Sequence, residues 1–156
     1  MNEKKLAAVI LAAGRGTRMK SNRSKILHNL AGTPMAAFPI KLAKSLEADP
    51  VVLVIGHDPE NVRNTFAEEN VEFALQHDQL GTGHALLCAE PQLDGFSGTL
   101  LLLCGDVPLL TQETLRKLQE HHCSQQASIT LLTVKLPDPT GYGRIVRQGE
   151  DVVRIV

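Results

Sequence analysis

Leu6-Ala7-Ala8-Val9-Ile10-Leu11-Ala12-Ala13-Gly14-Arg15-Gly16-Thr17-Arg18 is the stretch on which the fold turns. Leu6–Ala13 is an unbroken apolar run with no alternation, as expected of a strand covered on both faces. Lys4-Lys5 ahead of it gives the run a superficial likeness to a secretory leader. The run is at the short end for that, and Arg15, Arg18, Lys20, Arg23 and Lys25 follow closely, so a buried strand is the reading. Glycines and cations right after such a strand suit an anion site, because glycine lets backbone N–H groups approach a phosphate.

Working outward, residues 12–32 are rich in Gly, Arg, Lys, Ser and Asn and read as a long loop. Thr33-Pro34 supplies a cap and a first-turn proline for a helix to about Leu46, with Pro39 expected to bend it. Val51–Ile55 is a second buried strand, and Asp58-Pro59 starts a helix to about Glu69. Val71–Gln76 is a third strand. Gly81–Ala89 reads as a loop feeding a short helix. Thr99–Cys104 is a fourth strand, and Thr111 caps a helix to about His122. Ser128–Leu136 reads as a fifth strand. Ile145–Arg147 and Val152–Val156 form a hairpin around Gln148-Gly149-Glu150. This alternation predicts a Rossmann-like α/β fold, a mostly parallel sheet with helices on both faces.

The 156 residues suit one domain, with 43% hydrophobic and 21% charged residues. Sixteen Lys+Arg against seventeen Asp+Glu leave a net charge of −1, which gives no global pull toward nucleic acid or an anionic membrane. Aromatics at 3% are too few for a base-stacking platform. No apolar run is long enough to span a membrane. Cys88, Cys104 and Cys123 are an odd number without CxxC spacing, which argues for a reducing, cytoplasmic setting rather than a disulfide framework. The near-zero total hides an asymmetry. Residues 1–25 hold seven Lys/Arg and one acid, whereas residues 45–95 hold ten acids and one base. The acidic stretch reads as solvated helix faces.

Ligands of open α/β sheets bind beyond the carboxyl ends of the strands. The first loop is no dinucleotide fingerprint, since Met19 stands at the third glycine position, and no GxxxxGK[ST] occurs. Arg18 and Lys25 can still deliver charge to a phosphate, and the alternative is a basic surface loop. Asp106, after the fourth strand, is either a turn residue before Pro108 or a Mg²⁺ ligand facing the same crevice. Gln76, with Gly81 and Thr82, can read a base edge or merely turn the chain. Asp138–Arg144, with two glycines around the only tyrosine, is either an ordinary turn or a close approach to a ligand. His121-His122 points to a favourable cation at a helix C-terminus rather than to a metal site.

Leu11–Met19, with Lys25 six residues on, resembles the signature of sugar-1-phosphate nucleotidylyltransferases. Gln79–Ala85, Gly105–Leu109 and Asp138–Ile145 look like the branch of that family that uridylylates N-acetylglucosamine 1-phosphate, and the likeness runs in order along essentially the whole chain. It implies the conversion of UTP and N-acetylglucosamine 1-phosphate to UDP-N-acetylglucosamine and pyrophosphate, with Mg²⁺, serving cell-wall and lipopolysaccharide precursor synthesis. It implies that Arg18 and Lys25 neutralise the triphosphate and that Leu11, Ala12, Ala13 and Gly14 wrap the nucleotide. Gln76, Gly81 and Thr82 would hold uracil. Asp106 would bind Mg²⁺, Cys104 and Gly105 would line the nucleotide, and Gly143 would touch the sugar through its backbone.

One departure from the family pattern is Ser24, where most members carry proline before the lysine; it is expected to loosen the loop. The resemblance also implies that a second metal ligand, more sugar-binding residues and a trimerising left-handed β-helix acetyltransferase half lie beyond residue 156. The alternatives are another sugar-1-phosphate or molybdopterin nucleotidylyltransferase, or, for this length of chain, a non-catalytic nucleotide-binding module.

Overall fold

Leu6–Leu11 forms strand β1, and Leu6 to Ile10 are buried, four of them completely. The computed structural model describes residues 5–14, 16, 19–21, 23–149 and 151–156. β1 lies between β4 (Val51–Ile55) and β6 (Thr99–Cys104), and β5 (Glu72–Leu75) completes the order β5-β4-β1-β6. All three pairings are parallel, with Val9 beside Val52 on one side and Leu102 on the other. β1 and β4 are apolar at every position because both of their faces are covered. Helix α3 (Thr82–Cys88) packs Ala85 over Val9, Val52, Val54 and Ala74. Helix α1 (Ala37–Ser45), with Ile40 wholly buried, contacts β1 and β4. The expected Rossmann-like parallel sheet is therefore present.

The region 25–46 corrects the sequence reading. Thr33–Pro34 is a short strand, β3, paired antiparallel with β2 (Asn29–Leu30), and not a helix start. Ala31 and Gly32 both take positive φ (49° and 81°), the requirement of a two-residue hairpin turn, and this pairing overrides the cap-plus-proline signal. Because α1 begins at Ala37, Pro39 falls in its first turn, where backbone N–H groups have no intrahelical partner. The expected bend therefore has no cause. By contrast, Asp58-Pro59 does start a helix, α2 (Pro59–Thr65), shorter than expected.

The described chain divides into two units, Met1–Lys117 and Leu118–Val156, with the boundary inside α4 (Gln112–Ser124). Thr111 Oγ1 accepts the Thr114 N–H at 3.2 Å, which is the expected cap of α4. In the second unit the hairpin is β7 (Ile145–Gln148) with β8 (Asp151–Ile155), extended by a reciprocal backbone pair between Arg144 and Val156. His121 and His122 lie in the last turn of α4, and His122 Nδ1 is 2.9 Å from Thr130 Oγ1.

The fifth strand expected at Ser128–Leu136 is absent. That segment has no ladder pairing, and Ile129, Leu132 and Val134 stand exposed. β-propensity and alternation describe a strand, but a strand exists only through a paired neighbour. Among the described residues, no helix is long and apolar enough to cross a membrane.

Candidate active site

The carboxyl ends of β1, β5 and β6 surround a cavity of about 380 Å³. Leu11, Ala12, Ala13, Gly14, Lys25, Ile26, Gln76, Gln79, Gly81, Thr82, Ala85, Cys104 and Asp106 line it. Ten of the residues singled out from sequence are thus brought together. Gly105 sits behind the wall rather than in it: it is buried and gives its N–H to Leu11 O at 2.8 Å. Gly143 belongs to the second unit, in the loop before β7. Arg18, the expected catalytic cation, lies outside the described residues.

Lys25 opens a single 3₁₀ turn, Lys25–Leu27, whose next two side chains, Ile26 and Leu27, are buried. Those anchors hold the lysine at the cavity mouth. Gly16 makes the approach possible. Its φ is +60°, and a Cβ there would stand 2.6 Å from Lys25 Cβ, so no other residue fits without displacement. Lys25 Nζ meets Asp106 Oδ2 at 2.7 Å. A cation and a carboxylate thus face one another where β1 and β6 end. Cys104 lies beside them, its thiol pushed above the usual value by desolvation first and by the Asp106 charge second. It is therefore neutral near pH 7 and no nucleophile.

On the other side of the cavity, Gln76 is 4% exposed. Its Nε2 donates to Gly81 O at 3.2 Å and lies 3.0 Å from His84 Nδ1. Gln79 Nε2 donates to Ala13 O at 2.7 Å, tying the loop after β5 to the loop after β1. Sequence reasoning quoted Gln79 within a motif but gave it no role; an amide four residues past a strand end was the available signal. Gly56 reads from sequence only as the end of the second strand, with no part in the site. A Cβ there would stand 2.9 Å from Ala13 O and 3.2 Å from Gln76 O, so glycine lets the chain after β4 lie close to the backbone of both cavity loops.

Ser24 holds a backbone conformation that proline also takes, with φ of −54° and ψ of 136°. Its side chain is fully buried, and no partner binds its Oγ among the described residues. No described acceptor takes its N–H either. Ser24→Pro is therefore expected to raise stability by about 0.4–1 kcal/mol, by restricting the unfolded chain and removing an unpaired hydroxyl. A lower urea midpoint in the variant would contradict this.

Asp138 belongs to an ordinary turn. Its Oδ1 accepts the Thr140 N–H at 3.0 Å, and the Thr140 side-chain and backbone bonds hold its carboxyl below the usual range.

A cavity at a sheet's carboxyl edge, lined by a lysine, a carboxylate and a buried side-chain amide, is the arrangement in which α/β proteins bind nucleotides. The model of the MobA-like NTP transferase domain matches residues 8–147, and the chain belongs to that family. Over all 156 residues it is 57% identical to the Bifunctional protein GlmU of Syntrophotalea carbinolica, of which it spans 34%. The chain thus spans about a third of the length of the curated relatives it matches. Among solved structures, a nucleotidyl transferase from Methanothermobacter is similar at a TM-score of 0.62 and 25% identity, over 76% of this chain and 58% of that one. A Bacillus anthracis protein in complex with sucrose shares the fold at a TM-score of 0.73 and 20% identity, over 96% of this chain and 63% of that one.

Proposed function

We propose that this chain carries the nucleotide half of a uridylyltransferase that makes UDP-N-acetylglucosamine and pyrophosphate from UTP and N-acetylglucosamine 1-phosphate. The observation that carries the reading is one cavity with Lys25 and Asp106 at one side and the Gln76 amide at the other. This separation suits a triphosphate at one end and a base at the other. The high identity to proteins named GlmU supports the choice of sugar.

In the proposed reaction an oxygen of the sugar phosphate attacks the α-phosphorus. A new P–O bond forms in line as the bond to the β-phosphate breaks, and pyrophosphate leaves with that electron pair. Little covalent work falls to the protein, so positioning and charge carry the rate. Lys25, with Arg18, would neutralise the phosphates. The Gly14 main chain would lie against them, and Gln76, Gly81 and Thr82 would hold the base. Cys104 would bound the nucleotide, with Gly105 behind it, and Gly143 would meet the sugar.

Asp106 suits a divalent cation, Mg²⁺ in this reading. It is a hard oxygen donor lining the cavity, and an ammonium already stands at its carboxylate. A cation bound there would supply charge neutralisation of the phosphate oxygens. Among the described residues no group of three or more His, Cys, Asp or Glu side chains that could hold a metal occurs. Further sugar and metal contacts, the acetyltransferase half, the trimer and a cytoplasmic setting are proposals for the whole protein.

The test is pyrophosphate release with Mg²⁺ and N-acetylglucosamine 1-phosphate across UTP, CTP, GTP and TTP, on this chain and on a longer one. UTP is expected to be turned over by at least the longer chain. Preference for GTP would replace the reading with a guanylyltransferase. Binding without turnover in both would leave a nucleotide-binding module.

A further inference from the structure

The Gln76 amide is not free to rotate, and what holds it has a direct chemical consequence. An amide can present either end to a ligand, and the two ends look alike in shape. Here the surroundings distinguish them. Gly81 O can only accept, so the atom 3.2 Å from it must be the donating Nε2. That places the second Nε2 hydrogen toward His84 Nδ1 at 3.0 Å. Nδ1 must then be the bare, accepting nitrogen, and the neutral ring carries its proton on Nε2. The Nε2 neighbour is consistent: Cys88 Sγ lies 3.9 Å away, one helical turn along α3, as a weak acceptor. Both amide hydrogens are thereby spent. Oε1 has no partner among the described residues and is the atom left for a ligand.

We infer that His84 is a positioning residue for nucleobase choice. It locks the Gln76 amide so that only Oε1 is offered, which admits a base carrying a ring N–H and rejects one carrying a bare ring nitrogen at that place. The inference rests on the uridine reading above. Uracil presents a ring N–H and pairs with Oε1. Cytosine presents an acceptor there and would need the amide turned over. Turning it would set Oε1 against Gly81 O, which can only accept, and would force the His84 proton from Nε2 to Nδ1, away from Cys88 Sγ. Thymine and guanine also carry a ring N–H, so the lock separates uracil from cytosine and leaves those two to the shape of the cavity. Selection is thus enforced by a residue behind the reading group, through repulsion of the wrong partner.

The test compares UTP and CTP binding by calorimetry in the wild-type chain and in two variants. His84→Leu removes the acceptor. His84→Asn can return an amide oxygen to the Nδ1 position. The ratio of CTP to UTP dissociation constants is expected to fall about ten-fold in His84→Leu and to be largely retained in His84→Asn. Nitrogen-15 spectra of the wild type should show His84 protonated on Nε2 alone. Equal weakening of both nucleotides in His84→Leu, with no rescue by His84→Asn, would make the histidine merely structural and overturn the inference. So would a proton on Nδ1. A wild-type chain that binds UTP and CTP alike removes the uridine reading instead, and the lock is then decided by the proton position alone.

Discussion

Replacing Lys25 with methionine is expected to lower uridylyl transfer by on the order of 10²–10³-fold. Methionine keeps the length and the apolar stem, so Ile26 and Leu27 stay anchored and the loss isolates the charge. The same substitution should have an opposite effect on cation binding. The ammonium stands 2.7 Å from Asp106 Oδ2 and would compete with a cation for that carboxylate. Without it, Mn²⁺ measured by electron paramagnetic resonance in the absence of nucleotide should bind more tightly than in the wild type. Transfer would be followed by pyrophosphate release, in whichever of the two chain lengths turns over. Activity within a few-fold of wild type, or Mn²⁺ binding that weakens, would remove Lys25 from this role.

Asp106→Ala is the counterpart, and its signature is distinct. Transfer should again fall on the order of 10²-fold or more, because the only carboxylate lining the cavity among the described residues is gone. Nucleotide binding without metal should hold or tighten, since Lys25 is released to the phosphates and a nearby negative charge is removed. Lys25→Met should weaken that same binding. The pair of variants therefore separates phosphate recognition from cation recognition. Equal weakening of metal-free UTP binding in both would mean that Asp106 serves as a structural partner of Lys25 and no more.

Much of this site was legible before any coordinates. The reason is that its parts are backbone-near residues at strand ends, where apolar runs stop and glycines begin. Leu6–Leu11 and Val51–Ile55 were read correctly because a strand buried on both faces leaves a continuous apolar run. Thr99–Cys104 carries a similar run and pairs with β1, although Leu100 and Leu102 stand exposed. What failed was whatever depends on a distant partner. Thr33-Pro34 and Asp58-Pro59 carry the same local signal, yet only the second starts a helix, because Asn29–Leu30 claims the first as a strand. Residues 128–136 alternate like a strand and form none. The second layer of the site was also invisible. Nothing in the sequence says that His84 meets Gln76, that Gln79 reaches back to Ala13, or that Gly56 sits under both loops. Such contacts are made across 8 to 66 positions of chain by the packing of α3 on β1 and β4 and the pairing of β5 with β4.

Ala12 and Ala13 line the cavity, but as whole residues they are only 4% and 5% exposed, and Ala13 lies in the apolar core. In the proposed reading, what they would give a nucleotide is main chain. A survey that truncates every lining residue to alanine would therefore pass over these two positions without registering them. It would credit the site to Lys25, Asp106 and Gln76. Mapping the rest calls for changes that act on the peptide itself, such as larger side chains that crowd the core beneath or an ester in place of the amide. A recognition surface built this way also tolerates little variety, because its chemistry is the same for every amino acid and only the shape of the chain can be altered.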